Sequence, residues 1–273
     1  MQSTEQIVQS TKQWTESKEV RKARKARLKA QVEPSFSADQ KKNYVFVLKW
    51  GEKYSAEYVN KMHSMVSRNL TIDHEFVCFT ENSKGIDNHI TTSPLPNMAL
   101  SGWWYKPWFL SDELGVRGTG LFLDLDLIVF KNINSLFGYK SESPFVIIRD
   151  FNRINKTRWD RMNSSVFRFK IGHHQNIYES FKNNMHANVR RFQGDQDFMY
   201  ANIKKNYEFW PDEWIQSYKW EMRGRQHLGV INGTRNFKEP GHPKILNDTK
   251  IAVFHGQPNM HNCVDEWPKQ NWG

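Results

Sequence analysis

Apolar positions fall into two rhythms along the chain. Tyr44-Val45-Phe46-Val47-Leu48 is continuously apolar, which predicts a strand buried on both faces. Gly51 permits a turn after it. Val59, Met62 and Val66 then recur at spacings of three and four, the signature of one helix face. Glu75 to Thr80 reads as a second strand. Strand, helix, strand in that order predicts a parallel sheet in an α/β fold. Pro94 and Pro96 mark a loop, and Trp103 to Leu114 reads as a short helix with Pro107 near its first turn. Leu121 to Phe130 is the most apolar run and reads as a single strand. Further strands are expected at Phe145–Arg149, Ser165–Phe169, Leu228–Ile231 and Ile251–Phe254, and helices at Asn176–Val189 and Gln196–Ile203. The sum is an α/β domain over residues 43–273 with a mixed, mostly parallel sheet flanked by helices.

Charge adds a second unit to that picture. The 273 residues carry 39 Lys and Arg against 29 Asp and Glu, a net +10, and the surplus is uneven. Residues 1–42 hold ten basic and five acidic groups and almost no large apolar residue apart from Trp14, so they read as a basic helical extension. Residues 149–191 hold ten basic and three acidic groups. Two basic regions point to an anionic partner or substrate, with a solvated surface as the plainer alternative. The 14% aromatic content supplies ample core and excludes global disorder. Two cysteines, Cys78 and Cys263, cannot form a disulfide framework or a Cys-rich zinc site. With no apolar run near the ~20 residues of a membrane span and a polar N-terminus, the expected location is the reducing cytoplasm.

Candidate chemistry centres on Asp124 and Asp126. Residues two apart on a strand face the same way, so the two carboxylates would project together from an apolar strand. Burying like charges side by side is costly unless a cation compensates, and hard oxygen ligands suit Mg²⁺ or Mn²⁺. The alternative is a strand that ends here, with the carboxylates capping a turn. Asp195-Gln196-Asp197 follows Gly194 and precedes a helical pattern, so Asp195 is either an N-cap or a site residue. His255-Gly256 follows a short strand, where an imidazole is placed to act as a ligand.

In this order the motifs resemble nucleotide-sugar glycosyltransferases of the GT-A (Rossmann-like) fold, most closely family 8 and its relatives. The matching segments are Tyr44–Tyr54, Phe122-Leu123-Asp124-Leu125-Asp126, Asn163-Ser164-Ser165-Val166, Asp195-Gln196-Asp197-Phe198 and Phe254-His255-Gly256-Gln257-Pro258. The resemblance implies Asp124, Asp126 and His255 as ligands of Mn²⁺ or Mg²⁺ on the diphosphate of the donor, a UDP-sugar. It implies Tyr54 beside the nucleotide base, Lys106 and Gly256 near the donor, and Asn163, Asp195 and Gln196 around the transferred sugar, with Gln196 beside the reacting face. It also implies retention at the anomeric carbon. Relatives commonly carry a Lys after the His-Gly pair. Here the sequence runs Gln257-Pro258-Asn259, and Lys219 is the candidate to supply that charge.

The resemblance leaves the acceptor open. Arg149, Arg153, Lys156, Arg158, Arg161, Arg168 and Lys170 interleave with Phe151, Trp159, Phe167 and Phe169, a composition suited to phosphate contacts and base stacking. The expected acceptor is a hydroxymethylated base in DNA, as in phage DNA modification, contacted through 149–170 and the N-terminal arm. A surface polysaccharide or lipopolysaccharide acceptor is the alternative. A non-enzymatic nucleic-acid-binding module and a metal-dependent phosphohydrolase are the readings from other classes.

Overall fold

The computed structural model describes residues 42–273, except 99, 101, 157, 205, 232, 233, 239 and 240, and except the side chains of 226–231 and 235–238. The extension 1–42, apart from its last residue, lies outside the described residues.

Seven strands form the main sheet: β1 (Asn43–Lys49), β2 (Glu75–Thr80), β3 (Thr91–Ser93), β4 (Thr119–Leu123), β6 (Phe145–Arg149), β7 (Met162–Lys170) and β8 (Glu208–Phe209). Their spatial order is β3-β2-β1-β4-β7-β6-β8. The first four run parallel, β7 is antiparallel to both neighbours, and β8 is parallel to β6. A smaller sheet holds β5 (Leu127–Val129), β12 (Ile251–Val253) and β9 (Ile215–Ser217), with β12 central. A two-stranded ribbon pairs β10 (Gln226–Ile231) with β11 (Thr234–Lys238).

The continuous apolar character of β1 follows from cover on both sides. Val45 and Val47 pack with Tyr58, Val59, Met62 and Val66 of helix α1 (Ala56–Asn69) and with the small sheet. Tyr44, Phe46 and Leu48 face the opposite core. That core is built from the 3-10 helix Gly102–Leu110, helix α3 (Gln175–Asn183) and helix α5 (Asp195–Ile203). At the centre Gly120 of β4 sits against two rings. A Cβ there would lie 2.6 Å from Phe169 and 2.8 Å from Phe46.

Three expectations change. Leu121–Phe130 is two strands, because β4 pairs with β1 and β7 only as far as Leu123, and β5 then pairs with β12 of the other sheet. Asp124 and Asp126 therefore occupy the turn between two strands rather than one strand face, as the turn alternative held. The whole run is apolar because both strands are fully buried, each in its own sheet. The helix expected over Asn176–Val189 breaks at Asn184 (φ −130°, ψ 31°) into α3 and α4 (Met185–Arg191). The helix at Trp103 is a 3-10 helix, with Pro107 inside it. Helices α2 (Asn134–Gly138) and α6 (Glu266–Asn271) complete the described set.

Candidate active site

The parallel strands β1 and β4 end at the same side of the sheet, where α/β folds open their ligand crevices. A cavity of about 390 Å³ lies there. Leu48 and Trp50 from the end of β1, Asp124 to Asp126, and Ser164 and Ser165 from β7 line it, together with the first residues of α5 and His255-Gly256 after β12.

The turn after β4 is tied to both sheets. The Asp124 N–H donates to the Ser165 carbonyl of β7 at 2.9 Å, and the Asp126 carbonyl accepts from the Phe254 N–H beyond β12 at 2.8 Å. Each carboxylate has its own partner. Lys106 Nζ stands 2.8 Å from both Asp124 oxygens and also donates to the Ser164 carbonyl at 3.1 Å. The Tyr54 hydroxyl donates to Asp126 Oδ2 at 2.9 Å. Burial, and then the neighbouring charge of Asp124, pushes the Asp126 carboxyl up to about 6. Burial opposes the charge on Lys106, but Asp124 and Asp195 outweigh it and raise its pKa.

Asp195 and Gln196 open α5, where the helix N-terminus favours negative charge. Asp195 is buried and its Oδ2 has no hydrogen-bond partner among the described residues. Burial drives its carboxyl up to about 6 against the opposing pull of Lys106. On the other wall, burial and then Lys219 hold the His255 imidazole down to about 3, so it is neutral at physiological pH. Lys219 Nζ lies 2.9 Å from where a Cβ on Gly256 would stand, and Gly256 has φ +77°. Burial and then Arg225 lower the Lys219 pKa, while Asp126 opposes them.

The expected residues thus separate. Tyr54, Lys106, Asp124, Asp126, Asp195, Gln196, His255 and Gly256 line one cavity, and Lys219 stands beside Gly256. Tyr54 turns its hydroxyl to Asp126 and packs its ring on Tyr58, with centroids 4.8 Å apart. Asn163 is not in the lining. Its Oδ1 accepts from the Ser165 N–H at 3.0 Å, and Ser164 and Ser165 line the wall in its place. Gln193 joins the lining although no periodicity or motif marked it, and Trp50 and Lys53 join from the matched segment Tyr44–Tyr54, where neither had been given a role.

A divalent cation is tested by the donor set. Asp124, Asp126 and Asp195 place three carboxylates in the site with the ammoniums of Lys106, Lys53 and Lys219 near them, and Asp195 Oδ2 has no hydrogen-bond partner among the described residues. Two carboxylates and a neutral imidazole form a donor set suited to Mn²⁺ or Mg²⁺. In the arrangement described, no group of three His, Cys, Asp or Glu side chains stands close enough to hold one, among the described residues. The residues fit such an ion in chemistry. In the structure Asp124 bonds to Lys106 and Asp126 to Tyr54.

No protein-family model matches the chain, and no curated protein matches it by sequence. The fold does have solved counterparts. It superposes on the glycosyltransferase GlyE of Streptococcus pneumoniae TIGR4 with a TM-score of 0.57 at 11% identity, over 85% of this chain and 60% of GlyE. It is similar to the galactosyltransferase LgtC, solved with donor and acceptor sugar analogues, with a TM-score of 0.56 at 12% identity, over 83% of this chain and 93% of LgtC. It is also similar to the bifunctional glycosyltransferase WbbM, with a TM-score of 0.54 at 11% identity, over 85% and 48%. The chain therefore has the GT-A glycosyltransferase fold.

Proposed function

We propose that the protein is a nucleotide-sugar-dependent glycosyltransferase, residues 43–273 forming the transferase domain and 1–42 a basic arm. One observation carries this reading: Asp124, Asp126, Asp195, Gln196 and His255 meet in one cavity at the carboxyl ends of a GT-A sheet. Asp124, Asp126 and His255 would hold Mn²⁺ or Mg²⁺, which when bound supplies Lewis-acid stabilisation of charge on the departing diphosphate. Lys219, set against Gly256, offers the phosphates a fixed ammonium in place of the Lys missing after Gly256. Lys106 holds Asp124 in place and screens it from Asp195. The unpartnered Asp195 Oδ2 accepts a hydroxyl of the donor sugar, and Gln196 lies beside the anomeric carbon. The bond from that carbon to the phosphate oxygen breaks. A bond to the acceptor oxygen forms on the same face, and the acceptor's proton passes to the leaving phosphate, which retains configuration.

For the acceptor, Lys156, Arg158 and Arg161 support an anionic polymer such as hydroxymethylated DNA. They lie on the segment between β6 and β7, whose base stacks Phe151 on His255. Trp103 favours a second reading, a saccharide acceptor. It lines the cavity with half its surface exposed, a stacking face for a sugar ring. The cysteines are free and buried, which agrees with a reducing cytoplasm. No described helix is long and apolar enough to cross a membrane.

The direct test is Mn²⁺-dependent hydrolysis across a panel of nucleotide sugars. One donor is expected to turn over, with Asp126→Asn losing at least about 100-fold, the scale of a lost charge-stabilising group. Tight DNA binding with no turnover of any donor would instead establish a binding module.

A further inference from the structure

His255 is gripped on an edge and on a face. On the edge, Ser217 Oγ lies 2.7 Å from His255 Nε2. On the face, the Phe151 ring stacks on the imidazole with centroids 5.1 Å apart and planes 10° from parallel. Both contacts are themselves braced. Ser217 ends β9, beside β12, and begins a π-helical turn, Tyr218–Met222. Glu221 of that turn folds back to accept the Ser217 N–H at 2.7 Å, while Ser217 Oγ accepts the Trp220 N–H at 3.2 Å.

Glu221 is held in turn by Arg153. The guanidinium Nη2 reaches both carboxylate oxygens, at 2.9 and 3.0 Å, and the pair is nearly buried, with 7% and 10% of the side chains exposed. The same nitrogen donates to the carbonyls of Asp212 and Ile215, both at 3.2 Å. Arg153 and Phe151 come from one 3-10 turn, Phe151–Ile154, and the guanidinium lies 5.0 Å from the Phe151 ring centre. One short turn therefore supplies the surface under the imidazole and the ion pair behind its hydrogen-bond partner.

A buried ion pair of this kind adds little net stability and is costly to break. Its position gives it a second use, because one line of contacts runs from Arg153 through Glu221 and Ser217 to His255. With Nε2 taken by Ser217, Nδ1 is the only ring nitrogen left to the cavity.

We infer that Ser217, braced by Glu221 and Arg153, is a positioning residue that accepts from His255 Nε2–H and so presents the Nδ1 lone pair to the site's cation. The inference rests on the proposed metal-dependent transferase only for the identity of what Nδ1 meets. The tautomer stands or falls by itself. An imidazole with its other nitrogen bonded is fixed in orientation and tautomer, and removing such a partner typically weakens metal affinity about 10- to 100-fold.

The test uses the full chain labelled with ¹⁵N-histidine, with the His255 signals assigned by their loss in His255→Asn. Long-range ¹H–¹⁵N spectra at neutral pH are expected to show the Nε2–H tautomer. Ser217→Ala should mix the tautomers and Ser217→Thr should keep the native one, with circular dichroism confirming that each variant is folded. Free Mn²⁺, read by EPR, should report about 10- to 100-fold weaker binding in Ser217→Ala and near-native binding in Ser217→Thr. A wild-type Nδ1–H tautomer overturns the inference. So does Mn²⁺ binding that Asp126→Asn abolishes and Ser217→Ala leaves unchanged. Wild-type protein that shows the Nε2–H tautomer and binds no Mn²⁺ supports the positioning role and removes the metal from the proposed function.

Discussion

Asp195 shows what burying a single carboxylate costs the fold. Its carboxyl sits near 6 in the folded chain because burial opposes its charge, whereas an unfolded chain holds it near ~3.9. The folded state therefore binds the extra proton between these values. Stability falls as pH rises through that window and stays low above it. Asp195→Asn removes the buried charge, so the variant is expected to melt several degrees higher at pH 8 in chelator, a gain of at most about 3 kcal/mol. The gain should fade to nothing by pH 4, and thermal melts across that range check it. A lower melting temperature at pH 8 would mean that the charge is better compensated than its surroundings indicate. Legibility at this scale followed chemical oddity. Asp124 and Asp126 stood out because carboxylates interrupt an apolar run. Ser217 could not stand out, since a serine beside a tyrosine carries no signal until β9 is laid next to β12. Asn163 matched a motif, yet its side chain closes a local turn.

Among elements, the most telling is β4. It reads as the first half of a longer strand because apolar side chains continue without a pause, and sequence periodicity cannot report that a strand has changed partners. Only pairing separates it from β5, with Leu123 opposite Val166 in one sheet and Leu127 opposite Val253 in another. The rest of the strand–helix–strand opening was readable, because β1, α1 and β2 each bury a full face. Within β4, Gly120 lets the Phe46 and Phe169 rings close over the strand. Gly120→Ala places a methyl within 2.8 Å of both and should cost about 1–3 kcal/mol in urea denaturation, as overpacking does. Gly138→Ala, where a Cβ would meet nothing within 4 Å, is the control and should change little.

Across the molecule, the basic charge divides by use. Arg168 is buried and donates to the carbonyls of Leu136, Phe137, Tyr139, Lys140 and Ser143, pinning the turn before β6. Arg153 is spent on Glu221, and Arg149 lies 3.5 Å from Asp212. Composition counts these arginines as surface, and the fold places two of them inside. Arg168→Ala is accordingly expected to lose about 3 kcal/mol or more of stability by leaving buried carbonyls bare. In urea denaturation it should unfold early. Lys156→Ala with Arg158→Ala should leave stability unchanged and, if DNA is the acceptor, flatten the salt dependence of binding by about two phosphate contacts. The same whole-molecule view gives the turn Asp124–Asp126 a mechanical meaning. Its first amide belongs to the large sheet and its last carbonyl to the small one. A ligand that draws the two carboxylates together therefore rivets one sheet to the other. Hydrogen exchange at the amides of Asp124 and Phe254 should slow together on donor binding, as two plates stiffen when the pin between them is set.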